Sequence, residues 1–141
     1  YFVICYVFFI FTDLYLSNIM VEKLTEGYKL SNPVFSLNYI KNTGAAFSIL
    51  QIPETADYTF SRCTGASGFI KHLKSISLKT CFFISILSAG IAGNLHERIA
   101  YGFVRDYFQL NFVNFPVFNI SDIFINIGVI ALIILILIKK K

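Results

Sequence analysis

The stretch Ile123 to Ile138 reads IFINIGVIALIILILI and runs into Lys139-Lys140-Lys141. It carries no charge, and at ~1.5 Å per residue it covers most of a hydrocarbon core of ~30 Å. The stretch therefore predicts a transmembrane helix. The lysines that follow it predict a cytoplasmic C-terminal end, because basic residues concentrate on the cytoplasmic side of membranes.

Two other apolar stretches predict membrane helices. Tyr1 to Val21 contains a single charged residue, Asp13, and Cys81 to Leu95 contains Gly90 and Gly93. Small residues in a membrane helix permit close contact with a neighbouring helix. Because the chain begins at Tyr1 rather than Met, we expect its true start to be missing. The apolar N-terminus lacks a basic segment and a small-residue cleavage site, so we expect a retained helix rather than a signal peptide.

Composition supports a membrane protein. Of 141 residues, 56% are hydrophobic and 14% are charged, against about 45–50% and about 25% in soluble domains. We expect a single integral membrane domain over residues 1–141. The net charge of +4 comes from basic residues spread along the chain, so we expect no nucleic-acid partner. The cysteines Cys5, Cys63 and Cys81 share no close spacing, and we predict no disulfide framework, no metal site and no cofactor.

The polar segments predict the topology. Glu22 to Ser48 includes alternating residues that favour strands, so we expect a small extracytoplasmic β element near Val34 to Phe47. A basic loop, which contains Lys71, His72, Lys74 and Lys79, should face the cytoplasm. The segment from His96 to Asn119 should then lie on the outer face.

A second span is poorly formed. If Asn42 faces outward, the chain must cross the membrane before Lys71, which predicts a four-helix-type, all-α transmembrane bundle. The region from Ala45 to Ile70, however, contains Pro53, Glu54, Asp57 and Arg62. Each charge near a helix centre costs roughly 2.5–3.5 kcal/mol. Either neighbouring helices hold the segment in the membrane, or the local sequence has been altered, for instance by compensating frameshifts.

Carboxylates at the edges of spans are expensive and mark functional sites. Asp122 lies about 25 Å along a helix from Lys139, and Asp106 follows the preceding span on the same side. Two carboxylates at close range share a proton and titrate together, which supplies a base and an acid for attack of water on an amide. The simpler alternative is that Asp106 pairs with Arg105 or Arg98 and that Asp122 caps the last helix.

Four ordered blocks resemble those of lipoprotein signal peptidases. They are Asn42-Thr43-Gly44-Ala45-Ala46-Phe47-Ser48, Gly90-Ile91-Ala92-Gly93-Asn94-Leu95-His96-Glu97-Arg98, Val104-Arg105-Asp106-Tyr107 and Phe118-Asn119-Ile120-Ser121-Asp122. The resemblance implies a bacterial inner-membrane aspartyl peptidase that cleaves prolipoproteins before a diacylglyceryl-modified cysteine in the outer leaflet. It implies that Asp106 and Asp122 are the catalytic pair. It also implies that four polar residues bind substrate or brace this pair: Asn42, Asn94, Arg98 and Asn119.

The resemblance implies lipid-modified prolipoproteins and membrane lipids as partners, and we expect a monomer. The chain departs from the family pattern at several positions. Glu97 replaces an Asp, and Ala89 and Ser121 replace a Gly and an Ala. In the first span, Leu14 and Ser17 stand where the family pattern Asp-Gln-x-x-Lys has Gln and Lys after Asp13. An intramembrane protease of the presenilin type is a rival, but its Gly-x-Gly-Asp signature is absent from the sequence. An inactive relative or a small structural membrane protein is the alternative outside the enzymes.

Overall fold

The computed structural model describes residues 1–44 and 77–139, which form three helices and two strands. In chain order these are α1 (Phe2–Thr25), β1 (Phe35–Asn42), α2 (Leu78–Tyr101), β2 (Val104–Leu110) and α3 (Ile120–Lys139). Each of the three helices is long and apolar enough to cross a membrane. The predicted first and last spans and the span containing Gly90 are therefore confirmed as membrane-capable helices. The poorly formed second span and most of the basic loop lie outside the described residues.

Helix α2 is longer than its apolar core. It begins after Ser77, whose hydroxyl accepts a hydrogen bond from the Thr80 N–H at 3.2 Å. It ends at Gly102, which adopts the left-handed conformation (φ 80°) that favours glycine. The segment predicted to lie on the outer face, which starts at His96, therefore includes the last turns of α2. Its side of the membrane stays a prediction. The polar residue Glu97 consequently lies on the last turns of α2.

Helix α2 lies between the other two helices and packs against both, whereas α1 and α3 have little contact. Glycines permit the close approach of α2 and α3. A Cβ atom on Gly90 would lie 2.5 Å from the backbone oxygen of Ser121, and one on Gly128 would lie 2.7 Å from Cβ of Leu87. Both distances are shorter than van der Waals contact, so larger residues would push the helices apart. The predicted helix contact at Gly90 is confirmed.

The two strands pair antiparallel in a small sheet. Asn42 is opposite Val104 and Ile40 is opposite Asp106, with an irregular register between Leu37 and Ile40. Strand β1 confirms the predicted β element, whereas β2 was not among the sequence-based expectations. Because β2 follows α2 after two residues and α3 begins ten residues later, the sheet sits at one end of the helices and carries polar residues to that end.

We expect Gly90→Leu to destabilise the protein more than Ala100→Leu on the same helix, because Ala100 is exposed. Overpacking costs typically about 1–3 kcal/mol, and each 1 kcal/mol lowers the melting temperature by roughly 2–8 °C. Thermal unfolding of both variants in detergent tests this. Equal melting temperatures would contradict the close packing of α2 against α3.

Candidate active site

Strand β2 carries Asp106 into the interior. Asp106 is only 2% exposed to solvent. Its carboxylate oxygen Oδ2 accepts a hydrogen bond from Nδ2 of Asn42 at 2.8 Å. The other carboxylate oxygen, Oδ1, is buried and has no hydrogen-bond partner among the described residues. A buried carboxylate oxygen without a donor is costly when ionised, so this carboxyl is suited to hold or exchange a proton.

The first turn of α3 carries Asp122. The Asn119 side chain accepts a hydrogen bond from the Asp122 N–H at 2.9 Å, and Asp122 Oδ2 accepts one from the Asn119 N–H at 3.2 Å. These reciprocal bonds satisfy backbone donors at the helix start in the manner of a capping box. The second oxygen, Oδ1, accepts a hydrogen bond from Nδ2 of Asn94 at 2.9 Å. Asn94 in turn accepts one from Nδ2 of Asn119 at 3.0 Å.

The two carboxyl groups influence each other electrostatically. Burial raises the pKa of Asp106 to about 6, while the hydrogen bond from Asn42 opposes this shift and the negative charge of Asp122 adds to it. An open pocket of about 250 Å³ lies beside Asp122, with Asn42 and Asp122 in its polar wall. The other residues that line it are Phe115, Pro116, Val117, Phe118, Ile125 and Asn126.

The simpler alternative of a surface ion pair is wrong for Arg105. The Arg105 guanidinium binds Glu97, with Nη2 of Arg105 at 2.7 Å from Oε1 of Glu97, and within the described ranges this is the ion pair that forms. Asp106 is bonded to an amide instead. The expectation that Asp122 caps the last helix is confirmed, but capping uses one carboxylate oxygen and leaves the other facing Asn94.

Three of the four predicted polar residues contact the carboxyl pair directly: Asn42 binds Asp106, and Asn94 and Asn119 bind Asp122. Arg98 is different. Its Nε is buried without a hydrogen-bond partner in the part of the chain that the structure describes. Its charge nevertheless lies near enough to Asp106 to favour ionisation of that carboxyl, against the larger effect of burial on the pKa.

Asp13 lies between the helices rather than in the carboxyl pair. It is 1% exposed, and its Oδ2 accepts a hydrogen bond from the Ser121 hydroxyl at 2.7 Å. Gly93 leaves room for this contact, because a Cβ there would overlap both the Asp13 carboxylate and the Ser121 hydroxyl. The departure of Ser121 from the family pattern thus gives Asp13 its donor.

Two buried contacts of β2 were missed by sequence reasoning. Tyr107 is fully buried, and its hydroxyl lies 3.0 Å from that of Ser17 on α1. Burial raises the pKa of Tyr107 to about 12, so the phenol stays protonated. The Glu97–Arg105 ion pair is the second contact. The sequence indicates neither contact, because both depend on where β2 lies in the folded protein.

Comparison with known proteins gives consistent matches. The family whose sequence profile matches residues 5–138 is described as signal peptidase (SPase) II. A lipoprotein signal peptidase of Streptococcus pneumoniae is 40% identical over 102 residues, which are 70% of this chain and 66% of that protein. One of Lactococcus lactis subsp. lactis is 37% identical over 133 residues, which are 84% and 80% of the two chains. The chain thus spans about two thirds of the streptococcal relative.

A solved bacterial membrane enzyme, determined by the in meso method at 2.3 Å resolution, has a similar fold. The TM-score is 0.69 at 26% identity, and the match covers 99% of this chain and 89% of that chain. The similarity therefore extends over both the helices and the sheet that carries Asp106.

We expect Asp106→Asn to raise the melting temperature at neutral pH. The pKa of Asp106, about 6, lies above the ordinary 3.8, so the folded state gains stability from the protonated form below about pH 4 and loses it as pH rises through about 6. The stability gap between variant and parent should open across this window and reach a few °C, since 1 kcal/mol shifts melting by roughly 2–8 °C.

Melting temperatures measured from pH 4 to pH 8 test this. Glu26→Gln removes an exposed carboxylate and serves as the matched control, which should show no gap that opens across the window. A constant difference between Asp106→Asn and the parent would contradict the raised pKa.

Proposed function

Since this chain belongs to the signal peptidase II family, aspartic-type peptidases that remove signal peptides from prolipoproteins, we propose that Asp106 and Asp122 are its catalytic pair. The observation that carries the proposal is that β2 and α3 bring two carboxyl groups within electrostatic range of each other, each with an amide donor from another element. Asp122 and Asn42, the residue that binds Asp106, line one pocket. One peptidase domain over residues 1–141 is part of the proposal.

The proposed mechanism uses the two carboxyl groups as a base and an acid. One carboxyl is ionised and takes a proton from water as the water attacks the scissile carbonyl. The other is protonated, stabilises the developing oxyanion and then helps to protonate the leaving amine. The raised pKa of Asp106, about 6, supports the exchange of a proton at this carboxyl near neutral pH. No covalent intermediate is required. The water oxygen forms a bond to the carbonyl carbon, and the bond from that carbon to the amine nitrogen then breaks.

The amides would hold the pair in position for this reaction. Asn42 orients Asp106, while Asn94 and Asn119 orient Asp122 through a continuous set of hydrogen bonds. Arg98, whose buried Nε has no partner among the described residues, is the candidate to bind a substrate carbonyl. Such a bond would form only with substrate present, so it would add to binding rather than to the stability of the free enzyme.

The pocket suits a substrate that is both peptide and lipid. Its polar wall contains Asn42 and Asp122, and its other wall is largely apolar. We propose that the diacylglyceryl-modified cysteine of a prolipoprotein enters here, with the scissile bond beside the carboxyl pair. The exposed apolar residues of the three helices, such as Ile4, Phe8 and Ile134, would contact membrane lipids. A monomer would suffice, since both carboxyl groups come from one chain.

The fourth helix of the bundle remains part of the proposal. The described helix α2 has 24 residues, about 36 Å at ~1.5 Å per residue, and its C-terminal end joins β2. Asn42 pairs with β2 at that end, whereas Leu78 begins α2 at the other. We propose that the intervening chain returns across the membrane and supplies this fourth helix. With the C-terminal lysines cytoplasmic, the site faces the outer side of the bacterial inner membrane.

We expect Asp106→Asn and Asp122→Asn each to abolish cleavage of a lipid-modified precursor while the protein stays folded and inserted, because an amide cannot exchange the proton. The losses should be non-additive, so that the double variant is little worse than either single variant. Asp13→Asn is the matched control: it removes a buried carboxylate outside the pair and should retain measurable turnover.

The assay follows conversion of the precursor in detergent, after activity of the parent chain has been established. Substantial cleavage by either single Asn variant would rule out this pair. A parent that is folded but inactive would favour the alternative of an inactive relative.

We expect cysteines placed at Asn42 and Asn111, in a chain with its native cysteines replaced, to react with membrane-impermeant reagents from the outer side only. A cysteine at Lys139 should react from the cytoplasmic side. Labelling of the first two positions from the cytoplasm would overturn the proposed orientation.

A further inference from the structure

The start of β2 is fixed by a buried ion pair next to Asp106. The Arg105 backbone N–H donates to Oε2 of Glu97 at 2.7 Å, while its Nε and Nη2 donate to Oε1 at 3.0 and 2.7 Å. The two side chains are only 10% and 4% exposed. Both oxygens of one carboxylate are thus committed to the backbone and the side chain of the single residue that precedes Asp106.

Two further groups hold the same guanidinium. Nη2 of Arg105 donates to Oδ1 of Asn18 on α1 at 2.9 Å, and its central carbon lies 4.4 Å from the centre of the Tyr101 ring. Arg105 therefore connects α1, the end of α2 and β2. A planar guanidinium held at several points allows little rotation or sliding of the strand, and a shift of one residue would turn Asp106 to the opposite face of the sheet.

From this geometry we propose that Glu97 and Arg105 are positioning residues that hold Asp106 in place and set the charge around it. The identification of Asp106 as catalytic rests on the proposed function, but the positioning does not. A buried ion pair is weak evidence for stability, because an apolar pair of similar volume often serves as well. Its fixed geometry beside a reactive carboxyl is a stronger reason for its presence.

The charges of the pair also bear on the titration of Asp106. The negative charge of Glu97 disfavours ionisation of Asp106, and the positive charge of Arg105 is bonded to Glu97 and offsets it. Other charged or titratable groups of the described residues also lie near this cluster. They are Asp122 on α3, Arg98 and Tyr101 on α2, Asp13 on α1, Tyr39 and Lys41 on β1, and Tyr107 on β2. Removal of Glu97 should therefore lower the pKa of Asp106, whereas removal of Arg105 alone should raise it.

The test compares Glu97→Gln, Arg105→Gln and the double variant, each with Asp106 and with Asp106→Asn. In each background, the pH window in which the stability gap opens reports the titration of Asp106. We expect this pH window to move to lower pH by roughly half a pH unit or more in Glu97→Gln and to higher pH by a similar amount in Arg105→Gln. In the double variant it should return towards the window of the parent. These measurements need no substrate, so they decide the proposal even where cleavage fails.

Cleavage kinetics provide the second readout. Each single variant should lower kcat by about tenfold or more with little change in KM, because a misplaced carboxyl slows the chemical step. Lys41→Gln is the matched control. Lys41 is opposite Arg105 in the sheet but exposed, with its Nζ over the Phe103 ring, so its loss should leave both the window and kcat close to those of the parent.

Windows that stay fixed in both single variants, or that move in the same direction, would overturn the proposal even if the variants melt at lower temperatures. Lower melting with fixed windows is what a purely structural ion pair predicts. Displaced windows together with full cleavage by Asp106→Asn would instead contradict the proposed catalytic pair and leave the positioning intact.

Discussion

The arrangement of the helices and strands around the site depends on one requirement: the buried carboxyl group of Asp106 and the half-buried one of Asp122 need hydrogen-bond donors. A carboxyl group at the edge of a hydrocarbon core is stable only where donors or a proton compensate for lost water. Here each donor comes from a different element: Asn42 of β1 serves Asp106 of β2, and Asn94 of α2 serves Asp122 of α3. The hydrogen bonds that satisfy the carboxyl groups therefore also join the elements. Compensation at Asp106 is incomplete, which gives the group its raised pKa.

Helix α2 supplies the common support for these contacts. Its glycines let α3 approach, and Asn94 and Glu97 lie one turn apart near its end. Asn94 reaches the start of α3, whereas Glu97 reaches the start of β2. The two carboxyl-bearing elements are thus placed by neighbouring turns of one rigid helix. This arrangement explains how a small sheet of two strands, marginal by itself, holds the side chain of Asp106 in one position against Asn42.

Much of the fold and of the candidate site could be predicted from the sequence. Apolar runs and terminal lysines gave the described membrane helices, and alternation gave β1. The end of α2 at Tyr101 was not predicted, because Glu97 interrupts the apolar run and its partner Arg105 lies in β2. Strand β2 was missed for a related reason: Arg105 and Asp106 look solvent-exposed in the sequence, but both are buried. Burial of a charge depends on partners distant in the chain, and local pattern does not reveal them.

The sequence by itself determined the class of protein and the described membrane helices, and it predicted the two candidate aspartates, because hydropathy and motif order are local properties of the chain. Only the tertiary structure decided how each aspartate is held. It assigned Arg105 to Glu97 rather than to Asp106, showed that Asp122 caps α3 while binding Asn94, and placed Asp13 against Ser121. The physical reason is that each polar group has several possible partners in the sequence. Its actual partner is the one that packing of the helices and strands brings within hydrogen-bond distance.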